Sequence, residues 1–275
     1  MTRATLAEVL QPALAGGYAV AGLVCLGWED ACAYVAAAEA EGAPLILQAG
    51  PGARSHTPLP VWGAMFRTLA EGASVPVVTH LDHGTDEEDC RIAIEEGFTS
   101  VMYDGSRLSL EDNIAATARI AEMAHAAGIG CEGEIGFVGY AAGEASRGTD
   151  PQDAARFARE TGVDAMAISV GNTHLQTSAG DGLDEARIAE IAALTTTPLV
   201  IHGGSGVPHD QRRRLATGTS ICKFNIGTEL RQVFGATIRQ TLTTDPEVYD
   251  RIAILSALHD PLCEAARAVI RGLRP

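Results

Sequence analysis

The chain alternates short apolar, β-branched runs with longer alanine-rich stretches whose apolar positions recur at helical spacing. This alternation is typical of parallel strands joined by helices. The apolar runs predict eight strands, at 18–25, 44–50, 76–81, 100–104, 130–135, 164–171, 198–203 and 220–225. The stretches between them predict helices at 28–41, 59–71, 86–96, 110–127, 151–161, 184–193 and 208–217, and two further helices follow at 229–242 and 261–271.

Eight such units fit within 275 residues, and no linker or charge run separates them. This arrangement favours a single (β/α)₈ TIM barrel over a doubly wound sheet. We therefore expect one domain, 1–275, in which the barrel is followed by C-terminal helices. In such barrels the functional groups lie at the carboxyl ends of the strands.

The composition and charge of the chain limit the classes of partner that it can bind. The chain has 20 Lys plus Arg and 35 Asp plus Glu, a net charge of −15, which argues against nucleic acid. Its apolar runs are far shorter than the roughly 18 residues of a membrane helix, and the first residues do not resemble a signal peptide. Six cysteines without a Cys-x-x-Cys pair indicate reduced thiols. We expect a cytoplasmic protein that contacts neither membrane nor nucleic acid.

Histidines lie at the ends of three predicted strands, at His83, His174 and His202. Three protein ligands around an open position are what a catalytic zinc site needs, although each histidine alone is also compatible with a solvated loop. Glu132 and Glu134 are two apart on the fifth strand, so they point the same way. If that face is buried, two carboxylates favour a cation; if the register differs, both face solvent.

A glycine-rich turn, 203–206, follows the seventh predicted strand, and a polar segment, 225–228, follows the eighth. Backbone N–H groups beside a helix N-terminus bind phosphate, and barrels commonly place such a site after these two strands. This position predicts a phosphate-binding site.

Lys223 is the only lysine of the chain, and it shares the inward face of the eighth strand with Asn225. An enzyme that uses Lys223 as a Schiff-base nucleophile is therefore an alternative to a metal-dependent one. His80 shares the face of Asp82, so we expect it to support the site from one layer below. A metal amidohydrolase is disfavoured because the first strand lacks a His-x-His pair.

Six motifs follow one another at these strand ends: 81–84 (LDHG), 102–106 (MYDGS), 132–136 (EGEIG), 171–174 (GNTH), 202–206 (HGGSG) and 225–229 (NIGTE). Together they resemble the class II, metal-dependent ketose-bisphosphate aldolases, which include the fructose- and tagatose-bisphosphate aldolases. The resemblance extends from about residue 16 to residue 229.

The resemblance implies a carbon–carbon lyase of carbohydrate metabolism, for example of glycolysis. Such an enzyme cleaves fructose 1,6-bisphosphate reversibly to dihydroxyacetone phosphate and an aldehyde, with Zn²⁺ as the Lewis acid and Asp82 as the acid/base. Tagatose 1,6-bisphosphate and a 6-phospho-5-dehydro-2-deoxygluconate-like compound are alternative substrates. A non-catalytic sugar-phosphate-binding barrel is a further alternative. The family also suggests a homodimer or homotetramer.

The same resemblance assigns roles to individual residues. His83, His174 and His202 would bind Zn²⁺, Glu134 would be a metal-associated carboxylate, and Asp104 would lie near a second cation position. The implied substrate and phosphate contacts are Gly171, Gly203, Ser205, Asn225, Gly227 and Thr228. A monovalent cation, Na⁺ or K⁺, is implied near Gly171 and Ser205.

Two segments depart from the family pattern. The loop after the fifth strand is short, and Glu144 is its one carboxylate available as the second base, which moves the C3 proton. Val24 and Cys25 stand where the family has an asparagine, which predicts a different preference for the aldehyde half of the substrate. Arg267 could meet a distal phosphate, although an exposed helical arginine also explains it.

Overall fold

The computed structural model describes residues 2–275. Within them the chain forms eight parallel strands that close into a barrel in sequence order. The strands are β1 (Val20–Val24), β2 (Leu45–Ala49), β3 (Val77–Gly84), β4 (Ser100–Tyr103), β5 (Gly130–Ile135), β6 (Ala165–Ile168), β7 (Leu199–Ile201) and β8 (Ile221–Ile226). The predicted (β/α)₈ barrel is confirmed.

Helices cover the outside of the barrel and one of its ends. They are α1 (Leu6–Gly16), α2 (Trp28–Ala40), α3 (Pro51–His56), α4 (Leu59–Gly72), α5 (Glu87–Glu95), α6 (Leu110–Ala126), α7 (Pro151–Thr161), α8 (Glu185–Ala192), α9 (His209–Gly218), α10 (Thr228–Thr244), α11 (Arg251–Ser256) and α12 (His259–Gly272). Among residues 2–275, no helix combines the length and apolar character needed to cross a bilayer.

The third strand departs from the sequence prediction at its carboxyl end. β3 continues to Gly84, beyond the predicted end at Leu81. Leu81 pairs with Val101 and Gly84 pairs with Tyr103, so three steps along β3 match two steps along β4. This β-bulge lies at Asp82 and His83, where it changes the direction of the side chains at the strand end.

An N-terminal helix absent from the sequence prediction closes the lower end of the barrel. α1 contains Pro12, but Thr5 and Glu8 form a capping box at its start. The buried side chains of α1 pack against residues inside the barrel and form an apolar floor, whose members are Ala4, Leu6, Val9, Leu10, Ala13, Val20, Ile46, Val78, Ala165, Ala167, Val200 and Cys222.

Polarity changes sharply along the strands above this floor. On β3, Val78 belongs to the floor, whereas His80 and Asp82 lie two and four residues further on. On β7, Val200 belongs to the floor and His202 comes two residues later. Two residues of a strand span only about 6–7 Å. The polar groups therefore begin directly above the apolar floor and continue to the open end.

Candidate active site

Three histidines from different βα units converge at the open end of the barrel. His83 is the penultimate residue of β3, His174 lies in the loop after β6, and His202 follows β7. The ring centroids are 4.6 Å apart for His83–His202, 5.0 Å for His83–His174 and 5.8 Å for His174–His202. One ligand nitrogen from each ring lies within 4.8 Å of the others. The structure thus brings together the three histidines that the sequence singled out.

The backbone at these histidines is strained. His83 has a φ of 53°, and Leu175, directly after His174, has a φ of 59°. They are the two non-glycine residues with positive φ in the described chain, 2–275. Such conformations cost about 1–3 kcal/mol each and persist where the surrounding structure holds them, often at functional sites.

In two of the three histidine rings, one nitrogen is hydrogen-bonded to a carboxylate. Asp104 Oδ2 lies 2.7 Å from His83 Nδ1, and Glu132 Oε1 lies 2.9 Å from His202 Nε2. Such bonds fix the orientation of a metal-binding imidazole and make its other nitrogen more basic. The other nitrogens, His83 Nε2 and His202 Nδ1, are buried without a hydrogen-bond partner.

Glu134 lies between these rings and is almost fully buried. Its Oε1 accepts a hydrogen bond from the Val138 N–H at 3.2 Å. Its Oε2 has no hydrogen-bond partner and lies 3.1 Å from His202 Nδ1 and 3.7 Å from His83 Nδ1. Asp104 and Glu134 also form, with His83, a second group whose ligand atoms are within reach of one ion.

The rings differ in their affinity for protons. Burial alone would lower the pKa of His202, but Glu132 and Glu134 raise that pKa to about 10. Burial, together with His83 and His202, lowers the pKa of His174 to about 2. The carboxylates therefore favour positive charge near His202, whereas His174 stays neutral, as a metal ligand must.

A divalent cation fits this donor set. Imidazole nitrogen and carboxylate oxygen are ordinary zinc ligands, and His83 Nε2, His202 Nδ1 and Glu134 Oε2 are all buried and unpartnered. Asp82, Asp104 and Glu134 form no ion pair with a lysine or arginine among residues 2–275, and Asp104 and Glu134 pair with histidines instead. A bound cation would satisfy both the orphaned atoms and the charge.

Asp82 borders the same cavity as His83 and His174. Its side chain is largely buried, and its Oδ1 accepts a hydrogen bond from Asn225 Nδ2 at 3.1 Å. Burial would raise the pKa of Asp82, but His83 and other nearby cationic groups lower it overall. The carboxylate is therefore ionised near neutral pH and can accept a proton.

The glycine-rich turn and the start of α10 form the opposite wall of the cavity. Ser205 Oγ accepts hydrogen bonds from the N–H groups of Gly227 and Glu229, each at 3.3 Å. Gly203 adopts a left-handed φ of 64°. Gly227 caps α10 without a side-chain hydrogen bond. A helix N-terminus beside a glycine-rich turn can bind a phosphate.

Comparisons with known proteins agree with this geometry. Residues 4–274 match the family model described as fructose-bisphosphate aldolase class-II. The chain belongs to this family. It is 37% identical to the fructose-bisphosphate aldolase of Geobacillus stearothermophilus, over 99% of this chain and 96% of that protein. It is also 35% identical to a probable fructose-bisphosphate aldolase of Bacillus subtilis (strain 168), with the same coverage.

The crystal structure of the YdjI aldolase from Escherichia coli K12 has a similar fold. Its TM-score is 0.87 at 28% identity, over 98% of this chain and 97% of that structure. The family and the similar fold both support an aldolase, and hence a lyase. Five of the six predicted substrate contacts of this class II aldolase border the cavity, namely Gly203, Ser205, Asn225, Gly227 and Thr228. Gly171 instead borders a separate surface depression with Gly148 and Asp184.

Lys223 of this class II aldolase lies inside the barrel, beneath the histidines. Its Nζ is 2.5 Å from Glu132 Oε2 and 3.3 Å from His80 Nε2. All three side chains are fully buried, and His80 Nδ1 also pairs with Ser100 Oγ at 2.9 Å. The predicted supporting place of His80 is confirmed. Lys223 does not border the cavity, and Glu132 links it to His202, so its position favours a supporting role over that of a nucleophile.

The structure does not bring Glu144 to the cavity. The loop folds into a tight turn in which the Tyr140 N–H donates to the Glu144 carbonyl at 3.0 Å. The Glu144 side chain is half exposed and pairs with Arg107 at 2.7 Å. The turn presents Tyr140 to the cavity instead, where its ring stacks on His174 with a centroid distance of 5.0 Å.

Arg267 lies outside the cavity as well. It joins α12 to α2 through Glu41 at 2.7 Å and also pairs with Glu264 at 3.0 Å. The interpretation as a helical surface arginine therefore accounts for it.

Proposed function

We propose that this chain is a zinc-dependent aldolase that cleaves a ketose phosphate reversibly between C3 and C4, with fructose 1,6-bisphosphate as the first substrate to test. One observation carries the proposal. His83 with its orphaned Nε2, the ionised Asp82 and the N-terminus of α10 all border one cavity. The naming of the curated relatives supports the choice of substrate.

His83, His174 and His202 would hold Zn²⁺, with Glu134 as the nearby carboxylate and Asp104 orienting His83. When bound, Zn²⁺ supplies a Lewis acid that stabilises negative charge on the C2 oxygen of the ketose.

Asp82 performs the proton transfer at C4. As a general base it accepts the proton of the C4 hydroxyl, while the C4–O bond becomes a carbonyl and the C3–C4 bond breaks. The bonding electron pair stays with C3 and leaves that half of the substrate as an enediolate anion. The anion becomes dihydroxyacetone phosphate when C3 gains a proton, and Asp82 releases the proton that it took, so that the protons balance. In the reverse direction Asp82 returns the proton to the new hydroxyl. The Asn225 amide, 3.1 Å away, holds the carboxylate in place.

The phosphate of the dihydroxyacetone half would bind at the N-terminus of α10 and the glycine-rich turn. Ser205, Asn225 and Thr228 supply polar groups there, and Gly203 and Gly227 allow the backbone to approach closely. The same proposal includes a monovalent cation, Na⁺ or K⁺, near Gly171 and Ser205, a cytoplasmic location and a homodimer or homotetramer.

The aldehyde half would lie beside the end of β1, where Val24 and Leu26 border the cavity. Both side chains are apolar and supply no side-chain hydrogen-bond donor for a sugar hydroxyl. This observation favours testing other ketose phosphates beside fructose 1,6-bisphosphate, tagatose 1,6-bisphosphate first among them.

Removal and return of the metal tests the proposal. Treatment with a chelator should abolish cleavage of the ketose phosphates, and Zn²⁺ should restore it. Full activity after complete removal of metal, or a borohydride-trapped adduct on Lys223, would contradict it. If the zinc-loaded protein cleaves none of the ketose mono- and bisphosphates, the result would favour a non-catalytic sugar-phosphate-binding barrel.

A further inference from the structure

Arg54 extends from the short helix α3 to the end of β3. Its side chain is only 10% exposed, although α3 lies at the surface of the barrel. One nitrogen, Nη1, donates to the carbonyl oxygens of Ala49 at 3.0 Å and of Asp82 at 2.6 Å. The other, Nη2, donates to the carbonyl of His83 at 3.0 Å and to Asp89 Oδ2 at 3.1 Å.

Two of these acceptors belong to the bulge in β3. Asp82 and His83 lie where the pairing with β4 shifts register, and His83 has a left-handed backbone. A bulge disrupts the regular ladder locally, so its backbone groups need other partners. Arg54 binds the two successive carbonyls with two different nitrogens, which fixes the orientation of the peptide between them.

The shape of the guanidinium suits this task. Arginine presents five donors in a rigid planar fork, whereas the lysine ammonium is a point charge on a flexible stem. Arg54 does not border the cavity and touches none of the predicted substrate contacts, so it acts on the site through the backbone.

We propose that Arg54 is a positioning residue for the metal centre. It holds the bulged peptide so that the imidazole of His83 presents its buried, unpartnered Nε2 to the other two histidines. Asp104 orients the ring from its Nδ1 side, and Arg54 orients the backbone that carries the ring. The inference rests on the proposed metal-dependent function.

Two variants, Arg54→Lys and Arg54→Met, test the proposal through metal affinity rather than through activity. Zn²⁺ affinity is measured by competition with a chromophoric chelator, and folding by circular dichroism and thermal unfolding. We expect both variants to bind Zn²⁺ about 10-fold or more weakly, as removal of outer-shell partners of a metal site generally does. Asp89→Asn is the matched control, because it removes the ion pair of Arg54 and leaves the three carbonyl bonds.

A double-mutant cycle separates positioning from general stability. In a His83→Ala background the Arg54 substitutions should cause little further loss of Zn²⁺ affinity, because the ring that Arg54 positions is gone. Guanidinium, added well below denaturing concentrations, should restore part of the Zn²⁺ affinity of Arg54→Ala.

Different results would overturn the role of Arg54 and the proposed function. A folded Arg54→Lys or Arg54→Met protein with the Zn²⁺ affinity of the wild type would overturn the inference, even if its melting temperature falls. If the Arg54 substitutions lower Zn²⁺ affinity equally in the presence and in the absence of His83, the inference would also be overturned. A wild-type chain that binds no Zn²⁺ would overturn the proposed function, and the inference with it.

Discussion

The interior of the barrel has two adjacent layers, one apolar and the other rich in polar and ionisable side chains. The floor packs α1 against Val20, Ile46, Val78 and Val200, and its residues are apolar. The layer above it is rich in buried polar and ionisable side chains, with His80, Gln48, Glu132, His202 and Lys223 all fully buried. On β2, for example, Gln48 lies two residues beyond Ile46, and on β8 Lys223 directly follows Cys222 of the floor.

This contrast shows how a barrel can keep charged groups away from water without losing its core. Closing the lower end with α1 excludes solvent from beneath Lys223 and Glu132, so the polar layer is approached from the cavity side only. Electrostatic interactions are stronger in such a medium, and unpaired charges are correspondingly costly. The floor should therefore govern stability, and the upper layer both stability and chemistry.

The largest effect should come from the acid/base group at the top of the polar layer. Asp82→Asn should lower kcat by about 10²- to 10⁴-fold, the usual contribution of general acid–base catalysis, with a small change in KM. Steady-state kinetics with the best substrate measure this. Asp260→Asn, which changes a fully exposed carboxylate, should leave kcat unaltered. A decrease of less than tenfold for Asp82→Asn would argue against its role.

The ion pair within the polar layer should give the next effect. Lys223→Met leaves the buried Glu132 without its lysine partner and should lower the free energy of unfolding by about 3–5 kcal/mol. Urea denaturation measures the change. The control Arg91→Met breaks an exposed pair and should produce no measurable change. A stable Lys223→Met protein would show that Glu132 is compensated by other groups.

In the floor, truncation should affect stability alone. Leu10 is fully buried, so Leu10→Ala should cost about 2–5 kcal/mol of unfolding free energy through lost burial and a cavity. The folded variant should keep the kcat and Zn²⁺ affinity of the wild type. If kcat falls together with stability, the two layers are not independent.

The smallest effect concerns pH and His80. Burial, and then Lys223, lower the pKa of His80 to about 3, against about 6.5 in the unfolded chain. Between these values only the unfolded chain binds the proton, so stability falls as the pH falls from 6.5 towards 3. His80→Gln should reduce the decrease in the free energy of unfolding between pH 6.5 and pH 5.5 by about 1 kcal/mol. Urea denaturation at the two pH values measures it, and an equal loss in both proteins would contradict the assignment.

The sequence was sufficient to predict the barrel and most of the groups at its open end. Strand alternation placed His80 and Lys223 on the inward face, and the βα count placed His83, His174 and His202 at the same end. These inferences depend on the local periodicity of the strands and on the rule that parallel barrel strands all end at the same face of the barrel. They did not require knowledge of side-chain contacts.

Contacts distant in sequence could not be predicted in this way. Arg54 reaches carbonyls 28 and 29 residues away because a bulge redirects them, and no residue pattern announces that bulge. Nor did the sequence show that the turn at 140–144 would direct Tyr140 inward and Glu144 outward. α1 also lay outside the sequence prediction, although Thr5 and Glu8 have the spacing of a capping box at its start.

The burial of Lys223 has a practical consequence for handling the protein. Because it is the only lysine, the folded chain offers no side-chain amine to amine-directed reagents such as succinimidyl esters. Cross-linkers and dyes of that type would modify Lys223 only when the barrel opens. The rate of labelling at this one residue would thus report opening of the barrel, read by mass spectrometry at a single site.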